Sequence, residues 1–372
     1  MKTGGASWYR VANIAEVDSP ALLVYPERVE ENLRRMVAIA GGVERLRPHI
    51  KTHKLPEVLR LHQALGITKF KCATIGEAEM AGQCGAPDVL LAFQPVGPKA
   101  RRLLQLSEKF SETKFSAIVD DDRAIRALAE IFGQAGRVLE VLLDIDCGMH
   151  RCGVEPGPKA VELYRLIAAQ PGLKAGGLHA YDGHLRDSDP VTRTKACEAA
   201  FAPLDSLRHE LAQAGLPVPR VVVGGTPTFP MHARRPSVEC SPGTCVLWDY
   251  GYATQLPDLD FLPAALVLTR VISKPGANRL CLDLGHKAIA AENPHPRVHL
   301  LDLPDAKFTT HSEEHLVIET PRAGEFAVGD VLYGIPWHIC PTVALYSEAV
   351  VVKNGQAESR WKVLGRERRI TV

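Results

Sequence analysis

The sequence lacks any apolar run long enough to cross a membrane. No stretch of the 372 residues approaches the ~18 uninterrupted apolar residues of a membrane span. The first twenty residues, MKTGGASWYRVANIAEVDSP, also lack the run of about 7–15 apolar residues that marks a secretory signal. These absences predict a protein that has no membrane partner and stays in the cytoplasm.

An excess of charge of either sign is lacking as well. The chain has 44 Lys and Arg against 43 Asp and Glu, which gives a net charge of +1. Without a basic field there is no reason to expect nucleic acid as a partner. The nine cysteines form no CxxC pair and no ladder of close pairs, so we expect reduced thiols, which also favours the cytoplasm.

Short β-rich runs alternate with helical patterns between residues 20 and 225. Helix signals separate the runs, such as Pro26 near the start and Gly41 at the end of PERVEENLRRMVAIAGG, or the Asp N-cap of DDRAIRALAEIFGQAG. Eight such runs predict a parallel (β/α)8 TIM-like barrel. A doubly wound open sheet is less favoured because no GxGxxG opens the first helix. The runs are residues 20–25, 46–51, 69–74, 87–93, 115–120, 139–146, 174–181 and 220–225.

From about residue 256 the pattern changes to short alternating runs separated by turn signals such as Lys-Pro-Gly and Lys-Asn-Gly. The runs are FLPAALVLTRVI, NRLCLDL, HLVIET, DVLYGIP, VALYSEAVVVKNG and RWKVL, and they predict an antiparallel β domain. We therefore expect a barrel domain over 19–255 and a β domain over 256–372, to which 1–18 could also belong.

Polar residues follow several predicted barrel strands, at the end where barrel enzymes carry their active sites. Lys51 ends the second run, and Lys51 and His53 would share one face of an extended strand, whereas Lys54 would not. A lysine at this place suggests Schiff-base chemistry, although a lone lysine is usually a surface residue. Glycines at the end of the eighth run suit a phosphate-binding loop.

The segment RPHIKTHK (47–54) resembles the cofactor-lysine motif of the D-threonine aldolase and D-serine dehydratase family. These are fold type III pyridoxal-phosphate enzymes related to alanine racemase. The resemblance extends over nearly the whole chain, because further family-like segments follow in the same order. They are PALLVY, CATIGEAEM, IDCGMHRCGV, HAYDGH, GGTPTF, SPGTCVLWD, CLDLGHK and PWHICPTVALY.

This resemblance implies a role for individual residues. Lys51 would carry pyridoxal 5'-phosphate covalently, Arg151 would lie beside its phenolate oxygen, and His179 or Tyr181 would flank its ring. Each has a plain structural alternative: a buried arginine can be an ion-pair partner, and Gly-Gly can be an ordinary turn. Phosphate donors would come from Gly224, Gly225, Thr226, Gly243 and Thr244.

His338 and Cys340 form the segment that resembles the family's metal motif. Residues i and i+2 of a strand point the same way, so an imidazole and a thiolate could converge on one ion. Outside the family context, a packed His and a buried Cys would be the ordinary interpretation. Zn²⁺ suits this donor pair, and Mn²⁺ or Co²⁺ are alternatives.

The resemblance implies a lyase acting on a small-molecule substrate, a 3-hydroxy-D-amino acid, most simply a D-threonine aldolase. In that reaction His53 or a metal-bound water would act as the base. A dehydratase of D-serine or D-threo-3-hydroxyaspartate is the main alternative, since some aldolases of the family have Asp where this chain has Cys340. A metal-free racemase and a non-catalytic cofactor carrier are further alternatives. By analogy with the fold, we also expect a homodimer.

Overall fold

A computed structural model describes residues 8–367 and 371 of the chain. Its α-helices are α1 (Pro26–Ala40), α2 (Pro56–Ala64), α3 (Ile75–Gln83), α4 (Pro98–Lys109), α5 (Asp122–Gln134), α6 (Pro158–Ala169), α7 (Pro190–Gln213), α8 (Phe229–His232), α9 (Tyr250–Gln255) and α10 (Ile339–Leu345). Among the described residues, no helix has both the length and the apolar character that crossing a bilayer requires.

The strands of the described residues fall into two sheets. They are β1 (Ala21–Val24), β2 (Lys69–Cys72), β3 (Asp88–Leu91), β4 (Lys114–Val119), β5 (Leu139–Ile145), β6 (Leu173–Ala180), β7 (Val221–Val223), β8 (Glu239–Cys240), β9 (Ala265–Gly276), β10 (Arg279–Leu282), β11 (Val298–Leu300), β12 (Lys307–His311), β13 (Leu316–Glu319), β14 (Val331–Pro336), β15 (Glu348–Lys353) and β16 (Gln356–Lys362).

The chain divides into two compact units. Among the described residues, the barrel unit comprises 34–51, 59–243, 367 and 371, and the β unit comprises 8–33, 52–58 and 244–366. Relative to the expected division after residue 255, the β unit also takes in 19–33, 52–58 and 244–255. The residues 8–18 of the N-terminal segment lie in the β unit, whereas 1–7 fall outside the described residues.

The barrel unit contains one parallel sheet whose seven strands follow each other in sequence order from β2 to β8. Helices alternate with the strands, as right-handed crossovers between parallel neighbours require. All seven residues of β5 are buried, which explains why this strand reads as a continuous apolar run and not as an alternating one. The TIM-like barrel class expected from the sequence, followed by a β domain, is confirmed.

The predicted second strand, 46–51, is not a continuous strand. Only Leu46 and His49 make isolated parallel bridges, to Cys240 of β8 and to Lys71 of β2. Pro48 interrupts the ladder because it has no N–H to donate, although its carbonyl accepts from the N–H of Lys71 at 2.9 Å. The segment 46–49 therefore closes the ring between the last and first strands. Its partner β8 was not predicted, since two residues are too short for a periodic signal.

The predicted first strand, 20–25, forms as β1 but belongs to the other sheet. It pairs antiparallel with β9 and parallel with β15, inside the β unit. All four residues of β1 are buried. A run that is apolar on both faces carries no information about which sheet covers it, so assigning β1 to the barrel was wrong.

The β unit is largely antiparallel, as expected. Its main path runs β12–β13–β10–β9–β1–β15–β16, and β14 joins β9 and β11. Six predicted runs contribute β9, β10, β13, β14, β15 and β16, whereas β11 and β12 were missed. The unit has two apolar cores, one around Val267, Leu282 and Ile318 and one around Leu23, Leu268 and Val350.

The helices begin where the sequence signals place them. Helix α1 starts at Pro26 and ends before Gly41, which adopts a left-handed φ of 77°. Helix α5 is capped by Asp121, whose side chain accepts from the N–H groups of Arg123 and Ala124. Both boundaries confirm the predictions made from Pro, Gly and Asp.

Arg47 anchors the closing segment 46–49 inside the barrel unit. Its guanidinium is fully buried and forms ion pairs with Asp88 at 2.7 Å and with Glu239 at 2.6 Å. Burial alone would raise the pKa of each carboxyl group, but the hydrogen bonds and charge of Arg47 hold both pKa values below their usual range. The pairs thus tie the segment to β3 and β8.

Replacing Arg47 with Ala is expected to lower the free energy of unfolding by about 2 kcal/mol, because it removes a buried cation from two carboxylates. Asp88 then keeps Arg220 at 3.4 Å, and Glu239 keeps Lys69 at 2.7 Å. The matched control is Arg137→Ala, whose exposed pair with Glu108 at 3.7 Å should contribute less than about 1 kcal/mol. Urea unfolding followed by circular dichroism measures both changes.

Because the pKa values of Asp88 and Glu239 are lowered by folding, their contribution to stability exists at neutral pH and disappears as the pH falls through those values. The difference between wild type and Arg47→Ala should therefore shrink in acid. An equal loss of stability in both arginine variants at pH 7 would contradict this account.

Candidate active site

The barrel unit contains a pocket at the carboxyl ends of its strands. Both charged and apolar residues of β2, β5, β6 and the following loops contribute to it. The lining residues are His49, Lys51, Lys71, Ala92, Ile118, Asp144, Ile145, Met149, Arg151, Cys152, His179 and Tyr181. Four of the residues expected at a cofactor site, Lys51, Arg151, His179 and Tyr181, are thus brought together.

Lys51 lies in a turn that follows the closing segment, not in a strand. Its Nζ is 5.5 Å from the centroid of the Tyr181 ring. Because the backbone is not extended here, the argument that Lys51 and His53 share a strand face was wrong. His53 is not among the pocket residues; it is buried in the β unit, where its Nδ1 lies 3.1 Å from both the backbone N and the carbonyl O of Leu55.

Arg151 is held over Tyr181 by the loop that follows β5. Asp146 begins this loop and accepts the N–H groups of Gly148 and His150 at 2.9 and 3.0 Å. Gly153 has a φ of 97°, and a Cβ there would lie 2.6 Å from the N atom of Asp146, so the tight return requires glycine. The guanidinium carbon of Arg151 is 4.9 Å from the Tyr181 centroid, which places a cation at the pocket surface.

His179 forms the inner side of the pocket with Asp144. Its Nδ1 is 2.6 Å from Asp144 Oδ1. Burial lowers the pKa of His179 despite the opposing charge of Asp144. We therefore infer a neutral ring that donates its Nδ1–H to the carboxylate and presents Nε2 as an acceptor.

Lys71 is a pocket residue that sequence reasoning missed. It is the third residue of β2, and its Nζ lies 3.4 Å from His179 Nε2. Burial and the neighbouring charge of Lys51 lower the pKa of Lys71 to about 7. The available signal was weak, because Lys69 and Lys71 alternate with apolar residues as solvent-facing lysines of a strand do.

The charges of the pocket fit pyridoxal phosphate, the cofactor that the resemblance implies. Three basic side chains, Lys51, Lys71 and Arg151, line the pocket, whereas its carboxylate, Asp144, is already bonded to His179. Such a surplus of positive groups suits a ligand with a phosphate and a phenolate. A primary amine at the same pocket suits an aldehyde.

The expected phosphate loop adopts the compact conformation that its glycines allow. Gly224 has a φ of 76°, and a Cβ on Gly225 would lie 2.9 Å from Cε2 of Tyr181. In the barrel unit Thr226 and Gly243 are brought together, since the N–H of Gly243 is 3.3 Å from Thr226 Oγ1.

One residue of the loop departs from its expected role. The N–H of Gly224 donates to the carbonyl of Ala180 at 3.0 Å, which leaves Gly225 and Thr226 as the candidate donors of this loop. The N–H of Gly243 would have to exchange its bond to Thr226 for one to a phosphate. Thr244, the last expected donor, lies in the β unit at the start of a 3-10 helix and is buried.

A buried polar cluster lies behind Gly224. Asp182 accepts from Thr228 Oγ1 at 2.7 Å and lies 2.7 Å from Nε2 of His232, while Cys197 Sγ is 3.5 Å from the same nitrogen. The ligand atoms of Asp182, Cys197 and His232 lie within 4.8 Å of one another, a grouping that could hold a metal ion. In this arrangement, however, the Asp182–His232 contact has the length of a hydrogen bond.

His338 and Cys340 lie at the start of a helix and not in a strand. His338 is the N-cap of α10, and Cys340 is the second residue of that helix. The expectation of a strand was therefore wrong, because the strand β14 already ends at Pro336. The two side chains nevertheless converge, since a hydrogen bond and opposite charge link them.

The donor chemistry of this pair fits a divalent cation such as Zn²⁺. Burial raises the pKa of the Cys340 thiol, but the hydrogen bond and charge of His338 bring it below its usual value, which favours the thiolate that metals bind. Glu292 accepts from His338 Nδ1 at 2.6 Å, and such a carboxylate orients a metal-binding imidazole. Cys340 Sγ also lies 3.3 Å from Thr52 Oγ1.

Comparison with known proteins agrees with the architecture of the pocket. Residues 24–250 match the family described as alanine racemase, N-terminal domain, and residues 264–352 match the putative serine dehydratase domain. The chain is similar to D-threonine aldolase of Arthrobacter sp, with 31% identity over 361 residues, 95% of this chain and 94% of the relative.

Two further comparisons point the same way. A 3-hydroxy-D-aspartate aldolase of Paracoccus denitrificans (strain Pd 1222) is 30% identical over 95% of this chain and 93% of that protein. The crystal structure of D-threonine aldolase from Filomicrobium marinum has a TM-score of 0.88 and 30% identity, and the match covers 95% of this chain and 96% of that one. The chain therefore belongs to the pyridoxal-phosphate-dependent lyase family that joins an alanine racemase-type domain to a serine dehydratase-type domain and includes D-threonine aldolase.

Proposed function

We propose that this protein is a pyridoxal-phosphate- and metal-dependent lyase that cleaves 3-hydroxy-D-amino acids, foremost D-threonine, into glycine and an aldehyde. The observation that carries the proposal is the basic pocket in which Lys51, Arg151, His179 and Tyr181 meet. Similarity to two aldolases over about 95% of the chain supports the carbon–carbon bond as the one that is cleaved.

The pocket residues have distinct roles in this proposal. Lys51 would hold the cofactor through its aldehyde, and its amine would hold a proton when it is free. Arg151 would be the cation for the phenolate oxygen, and His179 or Tyr181 would flank the ring. When bound, pyridoxal phosphate supplies an electron sink for the pair left at Cα. Gly225, Thr226, Gly243 and Thr244 remain the proposed phosphate donors.

His338 and Cys340 are the proposed ligands of a divalent ion, Zn²⁺, Mn²⁺ or Co²⁺. The bound ion would lower the pKa of the substrate's β-hydroxyl group. Glu292, hydrogen-bonded to His338, would hold the imidazole in the ligating orientation. A base must remove the hydroxyl proton, and His53 remains the candidate: in the tautomer whose Nδ1–H donates to the carbonyl of Leu55 at 3.1 Å, its Nε2 has the lone pair that a base needs.

A dehydratase that releases ammonia and a keto acid is the second candidate. It is favoured by the match of residues 264–352 to the serine dehydratase domain and by the thiol at position 340. In this reaction the freed amine of Lys51 would remove the proton from Cα. A metal-free racemase or a cofactor carrier would leave the His338 and Cys340 pair without a purpose.

We further propose that the enzyme is a cytoplasmic homodimer. The nine cysteines are all free thiols in the structure, which is compatible with a reducing compartment. The dimer rests on analogy with the fold. Multi-angle light scattering of the purified protein tests it, and a monomeric mass at catalytic concentrations would contradict it.

Lys51→Ala should abolish the formation of glycine and acetaldehyde from D-threonine in the presence of pyridoxal phosphate and Mn²⁺. The reason is that the variant has no amine to hold the cofactor's aldehyde. The control is Lys54→Asn, because Lys54 has a left-handed φ of 53° that asparagine tolerates. Product analysis by mass spectrometry separates the candidates, since pyruvate from D-serine or 2-oxobutanoate from D-threonine would mean that the dehydratase assignment is correct.

Cys340→Asp should shift the metal preference of the activity from Zn²⁺ toward Mn²⁺, because a carboxylate is a harder ligand than a thiolate. His338→Ala should reduce activity by at least about a hundredfold at fixed metal concentration, and EDTA should do the same to the wild type. The control is Cys84→Ala, a cysteine at the end of α3. Metal titrations of chelated enzyme give the measurement; full cleavage activity in EDTA would overturn the assignment of His338 and Cys340 as metal ligands, whereas racemisation without cleavage in EDTA would indicate a metal-free racemase.

A further inference from the structure

Lys71 is a second lysine of the pocket, and the proposed mechanism does not use it. It projects from β2 toward the interior of the barrel unit and is only 2% exposed. Lysines normally keep their ammonium group in water, even where the aliphatic stem is buried. A lysine that is buried to its tip inside a ligand pocket needs an explanation.

The surroundings of Lys71 give its amine one near partner and no direct carboxylate among the contacts described. That partner is His179, whose Nε2 lies 3.4 Å from Lys71 Nζ. Since the other ring nitrogen of His179 donates to Asp144, Nε2 accepts an N–H of Lys71. The Tyr181 ring centroid is 6.0 Å away.

Charged groups face Lys71 from several elements. Burial and the charge of Lys51, at the turn after residue 49, lower its pKa. Asp144 of β5 and Asp182 after β6 oppose this shift, whereas Arg47 of the closing segment adds to it. The net pKa is about 7, so the amine is protonated in only part of the molecules at neutral pH.

An anionic ligand changes this balance. The pocket offers Lys71 a neutral imidazole as its hydrogen-bond partner, and a phosphate or phenolate entering the pocket would add negative charge beside a buried amine. The protonated form of the Lys71 amine would then be favoured over the neutral form. The charge on Lys71 is thus conditional on occupancy of the pocket, unlike that of the permanently charged Arg151.

We propose that Lys71 is an anion-binding residue of the cofactor pocket that takes up a proton when the phosphorylated cofactor enters. This inference rests on the proposed function only in its assignment of the cofactor to this pocket. It does not depend on which bond of the substrate is cleaved.

The proposal predicts a characteristic pH dependence. Below about pH 7 Lys71 already carries its proton, and the ligand meets a full positive charge. Above that pH each binding event must also take up a proton, so the contribution of Lys71 to affinity should fall by up to about tenfold per pH unit. Proton uptake ends once the pH exceeds the pKa of Lys71 in the complex.

Binding of pyridoxine 5'-phosphate to the cofactor-free protein tests this directly. The probe has no aldehyde, so it cannot bond to Lys51, and its affinity reports noncovalent contacts alone. Isothermal titration calorimetry from pH 6 to pH 9 should give a Kd for Lys71→Gln about ten- to a hundredfold above that of wild type at pH 6. This ratio should decline toward one at high pH, and ionisation of the probe itself cancels in the ratio.

Two control variants make the result specific. Lys174→Gln removes an exposed lysine of β6 outside the pocket and should bind as wild type does. Lys71→Arg keeps a permanent charge and should retain affinity at pH 9, where the wild type has lost it. This second variant also decides the question if Lys71→Gln does not fold.

Three other outcomes would each have a different meaning for the proposal. Equal affinity of wild type and Lys71→Gln at every pH, or a ratio that does not change with pH, would mean that Lys71 only fills space. A wild type that fails to bind the probe at any pH would overturn the cofactor assignment together with this inference. Failure to cleave D-threonine would leave the binding result, and hence the role of Lys71, intact.

Discussion

The buried ion pairs of Arg47 with Asp88 and Glu239 hold the segment on which the whole pocket depends. Residues 46–49 form no continuous strand, but their backbone donates to Cys240 and Pro242 on one side and accepts from Lys71 on the other. The guanidinium adds side-chain ion pairs to these hydrogen bonds, one to Asp88 of β3 and one to Glu239 of β8. Lys51 lies two residues after the end of this segment, so the attachment of the segment determines where Lys51 lies.

The segment 46–49 also determines the position of the second pocket lysine, Lys71. Lys71 donates its backbone N–H to Pro48 and accepts from the N–H of Ile50, so the two lysines lie on segments joined by a pair of hydrogen bonds. Their spacing is thereby set by the backbone and not by side-chain packing. One structural element therefore determines both where the cofactor amine lies and which positive charge faces it.

Much of this fold could be predicted from the sequence, because alternation of apolar runs with capped helices reports directly on βα repeats. The failures have local causes. Pro48 breaks a ladder that the surrounding residues suggest, β8 is too short to show a period, and β1 is apolar on both faces, so its sheet could not be chosen. Each error concerns pairing between segments that are distant in sequence, and local patterns of apolar and polar residues do not report on such pairing.

The candidate site was predicted in part for a similar reason. Lys51, Arg151, His179 and Tyr181 carry a recognisable family pattern, and the structure gathers them at one pocket. Lys71 was missed because local sequence does not show whether the side chain of a strand residue points into the barrel or toward solvent. The side chains of His338 and Cys340 converge as the spacing suggested, but they do so through the first turn of α10. Side chains two residues apart can approach each other in more than one backbone conformation.

The ring of Tyr181 restricts which residues can occupy two neighbouring glycine positions. A side chain at Gly225 would press against one edge of the tyrosine ring, and a side chain at Gly183 would overlap its hydroxyl group. Replacing either glycine would force the tyrosine ring out of its place, whereas loss of the tyrosine would relieve both positions at once. Substitutions at these three sites are therefore ordered in evolution: the ring must shrink first, and each later change at a glycine would make its return harder.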